Sequence, residues 1–290
     1  MPEQVLDQSV SPAASGETYR SLCRLPVFRP VALKLLKTLA IGEPEVREVT
    51  RLLESDPGLS AEVMTLANSA AYGSAAPVRT IARAVTALGL ERMQSIALTV
   101  AMQSFTRSLE DTVESRAAWR HSLGCAFAAE ELAGAWGESR ESGYMAGLMH
   151  DLGRFGLMAA YPTLSASALA PVYENAAQAL EEERRLFGMD HAQAGACLTQ
   201  VWGLPVEFQE VSGRHHDAEA AGDSGSVAVV WAACQAADAL GYEGVRKTAG
   251  PALEEILSAL PTPVAARARG VDLARTVAER FQALGSSLEP

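Results

Sequence analysis

The sequence predicts an all-α protein, and three observations carry that expectation. Hydrophobic residues make up 48% of the chain but aromatic ones only 6%, so the apolar content is Ala- and Leu-rich and poor in strand-forming runs. Apolar positions recur at helical spacing in segment after segment. Capping residues and prolines stand where those segments begin. With 290 residues, the chain has room for two ordinary domains or one large helical one.

In chain order, MPEQVLDQSVSPAASGE offers no apolar pattern, and residues 1–14 are expected to be a disordered N-terminus. Val46, Val49, Leu52 and Leu53 form one helical stripe, and Leu59, Val63 and Leu66 form the next. Between them, in SDPGLS, Asp56 can accept from free backbone amides while Pro57 supplies the fixed φ of a first helical position. The polar passage TRSLEDTVES, residues 106–115, divides two Ala-rich regions. A domain boundary is placed there, giving units at 15–110 and 111–290. AAWRHSLGCAFAAEELAGAW and SRESGYMAGLMHDLG then read as two longer helices. HAQAGACLTQVWGLP is a third, capped by Asp190 and closed by Gly203 and Pro205. HHDAEAAGDSGS, residues 215–226, reads as an exposed loop before the helix VAVVWAACQAADALGY.

The net charge of −11 and the lack of any basic block argue against a nucleic-acid binder and against an acidic membrane surface. No leader pattern or membrane-spanning run is present, so a cytoplasmic protein is expected. Cys23, Cys125, Cys197 and Cys234 form no C-x-x-C pair and are read as buried reduced thiols.

His150 and Asp151 lie among Met145, Leu148, Met149, Leu152, Phe155, Leu157 and Met158. An ionised carboxylate in such surroundings needs a partner. All five histidines, His121, His150, His191, His215 and His216, fall within a third of the chain. Imidazole and carboxylate suit borderline divalent metals, and helices of a bundle can direct them to one point. A cation there would compensate Asp151. Adjacent residues on one helix point about 100° apart, so His150 and Asp151 do not readily chelate one ion alike; a bridging Asp151 removes the difficulty. Plainer roles are open for each residue. His121 fits a hydrogen-bonded core position, His191 the first turn behind Asp190, and His215 and His216 a solvated loop. Asp151 and Arg154 fit an ordinary i,i+3 ion pair, and Asp238 a polar contact between helices.

LPVFRP (25–30), SDPGLS, LANSAAYG (66–73), IARAVTALGL (81–90), GLMHDLG, DHAQAGACLTQVWGLP (190–205) and AADAL (236–240) together resemble the HDOD family of bacterial signalling proteins, relatives of the HD-domain phosphohydrolases. The resemblance implies an N-terminal helical subdomain packed on an HD-like helical bundle. Within the first unit, Asn68 is read as a local hydrogen-bonding device and Asp56 as a cap. Many HDOD members are thought to have lost their metal ligands and to act as non-catalytic modules through protein partners. Here, however, the ligand pattern of the related HD-GYP phosphodiesterases can be laid over the chain. That similarity implies His121, His150 and Asp238 around one ion, His191, His215 and His216 around a second, and Asp151 bridging. The implied cofactors are two divalent transition-metal ions, iron or manganese first, with zinc, cobalt and nickel as further candidates. Asp151 and Arg154 are the implied catalytic pair, with Arg154 in the place of a family lysine and steadying a phosphate oxygen. The chain departs from that pattern in having DAEAAGDSGS where the Gly-Tyr-Pro signature stands, and Ala117 where a third-metal glutamate occurs. Two functions follow: a metal-dependent phosphohydrolase acting on a nucleotide or other phosphoester, or a regulatory module that meets a protein partner.

Overall fold

The computed structural model describes residues 12–26, 29–41, 45–69, 77–217, 225–245, 247 and 250–284. Residues 1–11 of the expected disordered terminus, 70–73 of LANSAAYG and 218–224 of the expected loop lie outside them. Among the described residues there are helices and no strand.

The first helices are α1 (Pro12–Cys23), α2 (Pro30–Ile41), α3 (Val46–Glu54), α4 (Pro57–Ala67), α5 (Ile81–Leu88) and α6 (Leu90–Thr106). Residues 12–14, expected in the disordered terminus, already belong to α1. Asp56 caps α4 as expected, its Oδ1 accepting from the Leu59 amide at 2.9 Å with Pro57 in the first turn. Asn68 clamps the chain that leaves α4. Its Oδ1 accepts from the Val78 amide at 2.8 Å, and its Nδ2 donates to Val78 O at 3.0 Å. Helix α6 is buried on nearly all sides, from Met93 through Gln103. It packs on α2, α4 and α5, and its Thr99 hydroxyl meets that of Tyr144, from the second half of the chain, at 2.8 Å.

The rest of the chain forms α7 (Val113–Trp136), α8 (Arg140–Met149), α9 (Leu152–Ala160), α10 (Pro162–Leu169), α11 (Ala176–Phe187), α12 (His191–Val201), α13 (Val206–Arg214), α14 (Ser226–Ala239), α15 (Leu253–Ala259), α16 (Thr262–Ala268) and α17 (Leu273–Leu284). Helix α7 lies against α8 and α14, and α12 lies against α9 and α13. Asp190 caps α12 in a reciprocal box with Gln193.

Two expectations are corrected here. SRESGYMAGLMHDLG is not one helix: α8 ends at Met149, Asp151 takes φ −94° and ψ 18°, and α9 starts anew at Leu152. That break re-aims the doublet, so the 100° separation of an unbroken helix no longer applies. His215 and His216 are likewise not exposed loop. His215 continues the right-handed turn at the end of α13 and is only 2% exposed, because the apolar face of α13 carries it inward.

Close helix approach makes the remaining geometry. Gly147 lets α8 ride on α7, since a Cβ there would stand 2.8 Å from Ala126 Cα. Gly153 does the same for α9 against α12, where a Cβ would stand 2.0 Å from His191 O and 2.2 Å from Gly195 N. These contacts set α7, α8, α12 and α14 around one buried point.

Candidate metal centre

Four of the five imidazoles turn Nδ1 to an acceptor oxygen. His150 Nδ1 donates to Gly147 O at 2.6 Å, His215 Nδ1 to Ser212 O at 2.9 Å and His121 Nδ1 to Tyr242 O at 2.7 Å. His191 Nδ1 lies 2.6 Å from Glu183 Oε2. Each partner oxygen only accepts, so Nδ1 is the donating nitrogen and Nε2 is the one left to face the centre. Those Nε2 atoms converge. His121 and His150 meet at 3.2 Å, His191 and His216 at 2.9 Å, and His191 and His215 at 3.3 Å.

Two nitrogens sharing an ion at about 2.0–2.1 Å stand about 3.0 Å apart at a right angle and about 3.4 Å apart at the tetrahedral angle. The three separations fall in or beside that range. Lone pairs facing one another repel unless a proton or cation lies between them, so the donor set fits a metal.

Asp151 supplies the second mark of such a site. It is 1% exposed, and its Oδ1 has no hydrogen-bond partner among the described residues. That oxygen lies 3.2 Å from His191 Nε2, 3.6 Å from His215 Nε2 and 3.9 Å from His150 Nε2. Its other oxygen accepts from Arg154 Nε at 2.9 Å. Burial alone raises a carboxyl's pKa, but the Arg154 guanidinium and the facing imidazoles overcome it and hold Asp151 well below the ordinary carboxylate range.

Arg154 is an internal strut. Besides Asp151, its Nη1 donates to Glu183 Oε1 at 2.9 Å, and its Nη2 lies 3.2 Å from the His191 ring. Glu183 also accepts from the His191 amide at 2.8 Å. Against the opposing effect of burial, His191 and Arg154 bring the Glu183 pKa down to about 2. The ordinary i,i+3 pair of Asp151 and Arg154 is therefore present, but as one edge of a larger buried network.

Asp238 faces a different direction. Its Oδ1 lies 3.2 Å from His121 Nδ1, and its Oδ2 pairs with the Lys247 ammonium. On the Nε2 side of His121 stands Cys234, with Sγ 3.5 Å away. The thiols also depart from one uniform buried class: Cys125 and Cys234 are buried, Cys197 is half-buried and Cys23 is exposed. A cleft of about 590 Å³, lined in part by His215, His216, Trp231, Cys234, Asp238 and Lys247, reaches the centre from α14. That volume suits a small-molecule ligand.

All seven predicted ligand residues thus lie in one neighbourhood, six of them with a donor atom in or beside the Nε2 cluster and Asp238 behind His121. Glu183, Cys234 and Lys247 were not anticipated. Glu183 sits in the charged run EEERR with no distinguishing pattern, whereas Cys234 stands four residues before Asp238 and so on the same face of α14.

Ion-free protein is expected to lose stability in acid. Burial lowers the His150 pKa to about 3 and also lowers those of His215 and His216, while Glu183 stands at about 2. Each of these folded values lies below the unfolded one, so the unfolded chain takes up more protons as the pH drops. The stability these groups contribute is complete above about pH 6.5 and is lost progressively as the pH falls toward 3. His121 runs oppositely. Burial lowers its pKa, but Cys234 and Asp238 raise it further, so its contribution is lost as pH rises above 6.5. Chelator-treated protein unfolded in urea across pH 4–8 should be most stable near neutrality; flat stability from pH 7 to 4 contradicts this account.

A buried His-Asp doublet at a helix break in an all-α bundle, with further histidines converging on it, defines an HD-type domain. The HDOD domain family model matches residues 25–218, and the chain belongs to that family. An HDOD domain protein from Geobacter sulfurreducens is 26% identical, with a TM-score of 0.70 over 94% of this chain and 97% of that one. A protein from Shewanella amazonensis SB2B, named as a candidate phosphohydrolase, is 26% identical with a TM-score of 0.67, covering 96% of each chain. An uncharacterized protein of Treponema pallidum (strain Nichols) is 27% identical over 182 residues, 61% of this chain and 35% of that protein. The chain thus spans about a third of that curated relative's length. No helix among the described residues is long and apolar enough to cross a membrane.

Proposed function

We propose that this chain is a signalling protein of HDOD type whose buried centre holds two divalent transition-metal ions and hydrolyses a phosphomonoester or phosphodiester, with nucleotides as the substrate class. The observation that carries this reading is the convergence of Nε2 atoms around an Asp151 oxygen with no hydrogen-bond partner. His191, His215 and His216 would hold one ion, and His121 and His150 belong to the other. Asp151 Oδ1, within 3.9 Å of both groups, would join them. Imidazole and carboxylate donors admit iron and manganese as well as zinc, cobalt and nickel. When bound, such a pair lowers the pKa of a water and neutralises charge on a phosphoryl group.

The chain's own residues do the rest. Gly147, Ser212, Tyr242 and Glu183 orient the rings through Nδ1, which is how outer partners tune metal ligands. Arg154 keeps Asp151 ionised and aimed. This positioning role takes the place of direct phosphate contact, because its Nε, Nη1 and Nη2 all face groups of the centre. Asp238 steadies His121 from behind. The cleft beside His216 and Lys247 would admit the substrate. The relative named as a candidate phosphohydrolase, alike over nearly the whole chain, supports the same reaction class.

Protein purified without chelator should contain about two transition-metal ions per chain by elemental analysis. A generic phosphodiester assay should show turnover that depends on metal and disappears in Asp151→Ala. Metal content near zero after iron or manganese is supplied overturns the reading. Two bound ions with wild type and Asp151→Ala equally inert leaves instead a metal-holding module that acts through a protein partner.

A further inference from the structure

Resting on the two-ion reading, we infer that Cys234 ligates the ion held by His121 and His150, making this half of the centre a thiolate site for a thiophilic divalent cation such as zinc, cobalt or iron(II). The other half, with three imidazoles, has no sulfur donor. The centre is therefore chemically unequal.

Geometry is the first support. The ligand atoms of His121, His150 and Cys234 all lie within 4.8 Å of one another, and Cys234 Sγ is 3.5 Å from His121 Nε2. A sulfur at about 2.3 Å and a nitrogen at about 2.0–2.1 Å from one ion stand about 3.5 Å apart at the tetrahedral angle.

Asp238 gives the second. Its carboxylate faces Nδ1 of His121 and the Lys247 ammonium, whereas an ion on Nε2 lies across the ring. One turn earlier on α14, Cys234 is the residue that reaches the Nε2 side. Asp238 is then a positioning residue behind His121, and Cys234 occupies the ligand place.

Charge is the third. Asp151 Oδ1, buried and without a hydrogen-bond partner, lies 3.9 Å from His150 Nε2. The two ions would share that one carboxylate, so a thiolate supplies further negative charge in a site almost closed to water, where His121, His150, Asp151 and Cys234 are each at most 4% exposed. Binding releases the thiol proton to solvent as the sulfur–metal bond forms. Thiolate shifts preference from manganese and magnesium toward zinc, cobalt and iron.

Cobalt(II) titration of the chelator-treated full chain tests this. Wild type should take up about two cobalt ions per chain and develop a near-ultraviolet thiolate-to-cobalt charge-transfer band. Cys234→Ser should abolish the band and reduce uptake to about one ion. A variant with Cys23, Cys125 and Cys197 all changed to serine should keep the band, so the result stands even if Cys234→Ser folds poorly. About two ions bound without a band, or a band lost in the triple variant, overturns the cysteine ligand and leaves the two-ion reading intact. No cobalt uptake at all overturns both.

Discussion

Gly153→Ala is expected to destabilise the protein by at least about 3 kcal/mol and to weaken metal retention with it. The added Cβ would sit 2.0 Å from His191 O and 2.2 Å from Gly195 N, both main-chain atoms that cannot swing aside. Relief requires α9 and α12 to separate, and α12 carries His191 away from Asp151 as it moves. Urea denaturation and elemental analysis measure the two effects. Gly134→Ala is the control, because nothing lies within 4 Å of its added Cβ near the end of α7. There, alanine should leave stability unchanged or raise it by up to about 1 kcal/mol. Equal behaviour of the two variants contradicts the close approach.

Glu183→Ala should cost about 3–5 kcal/mol, the range for breaking a buried charge pair by removing one partner. Glu183 accepts from the Arg154 guanidinium and from both the ring and the amide of His191, at 2.6–2.9 Å. Alanine leaves Arg154 with Asp151 as its one remaining anionic partner in the network described above. It also frees the His191 proton from Nδ1, so affinity for the ion near His191 should fall about 10- to 100-fold. Glu183→Gln, which keeps an acceptor and the side-chain volume, should lose less on both measures. A stability change under about 1 kcal/mol with unaltered metal affinity removes Glu183 from the network.

Local devices were legible and distant ones were not. The Asp56 and Asp190 caps act on amides three residues away, so their spelling in the chain suffices. His150 and Asp151 could be seen as an unmet polar pair in apolar company. Their re-aiming could not, because the doublet itself contains no proline or glycine to mark the break between α8 and α9. His215 and His216 read as loop because the polar segment after them resembles one. Cys234 has no cysteine near it in the chain, and the histidines beside its sulfur lie 84 and 113 positions away.

By itself, the sequence determined the helical class, the principal caps and the set of imidazoles and carboxylates available for chemistry. Those depend on composition and on interactions a few residues long. Tertiary structure alone decided which nitrogen of each ring faces the centre, that Arg154 and Glu183 brace Asp151, and that Asp238 stands behind His121 while Cys234 stands before it. Such choices belong to contacts between helices far apart in the chain, and close packing at glycines such as Gly147 and Gly153 sets them to within an ångström.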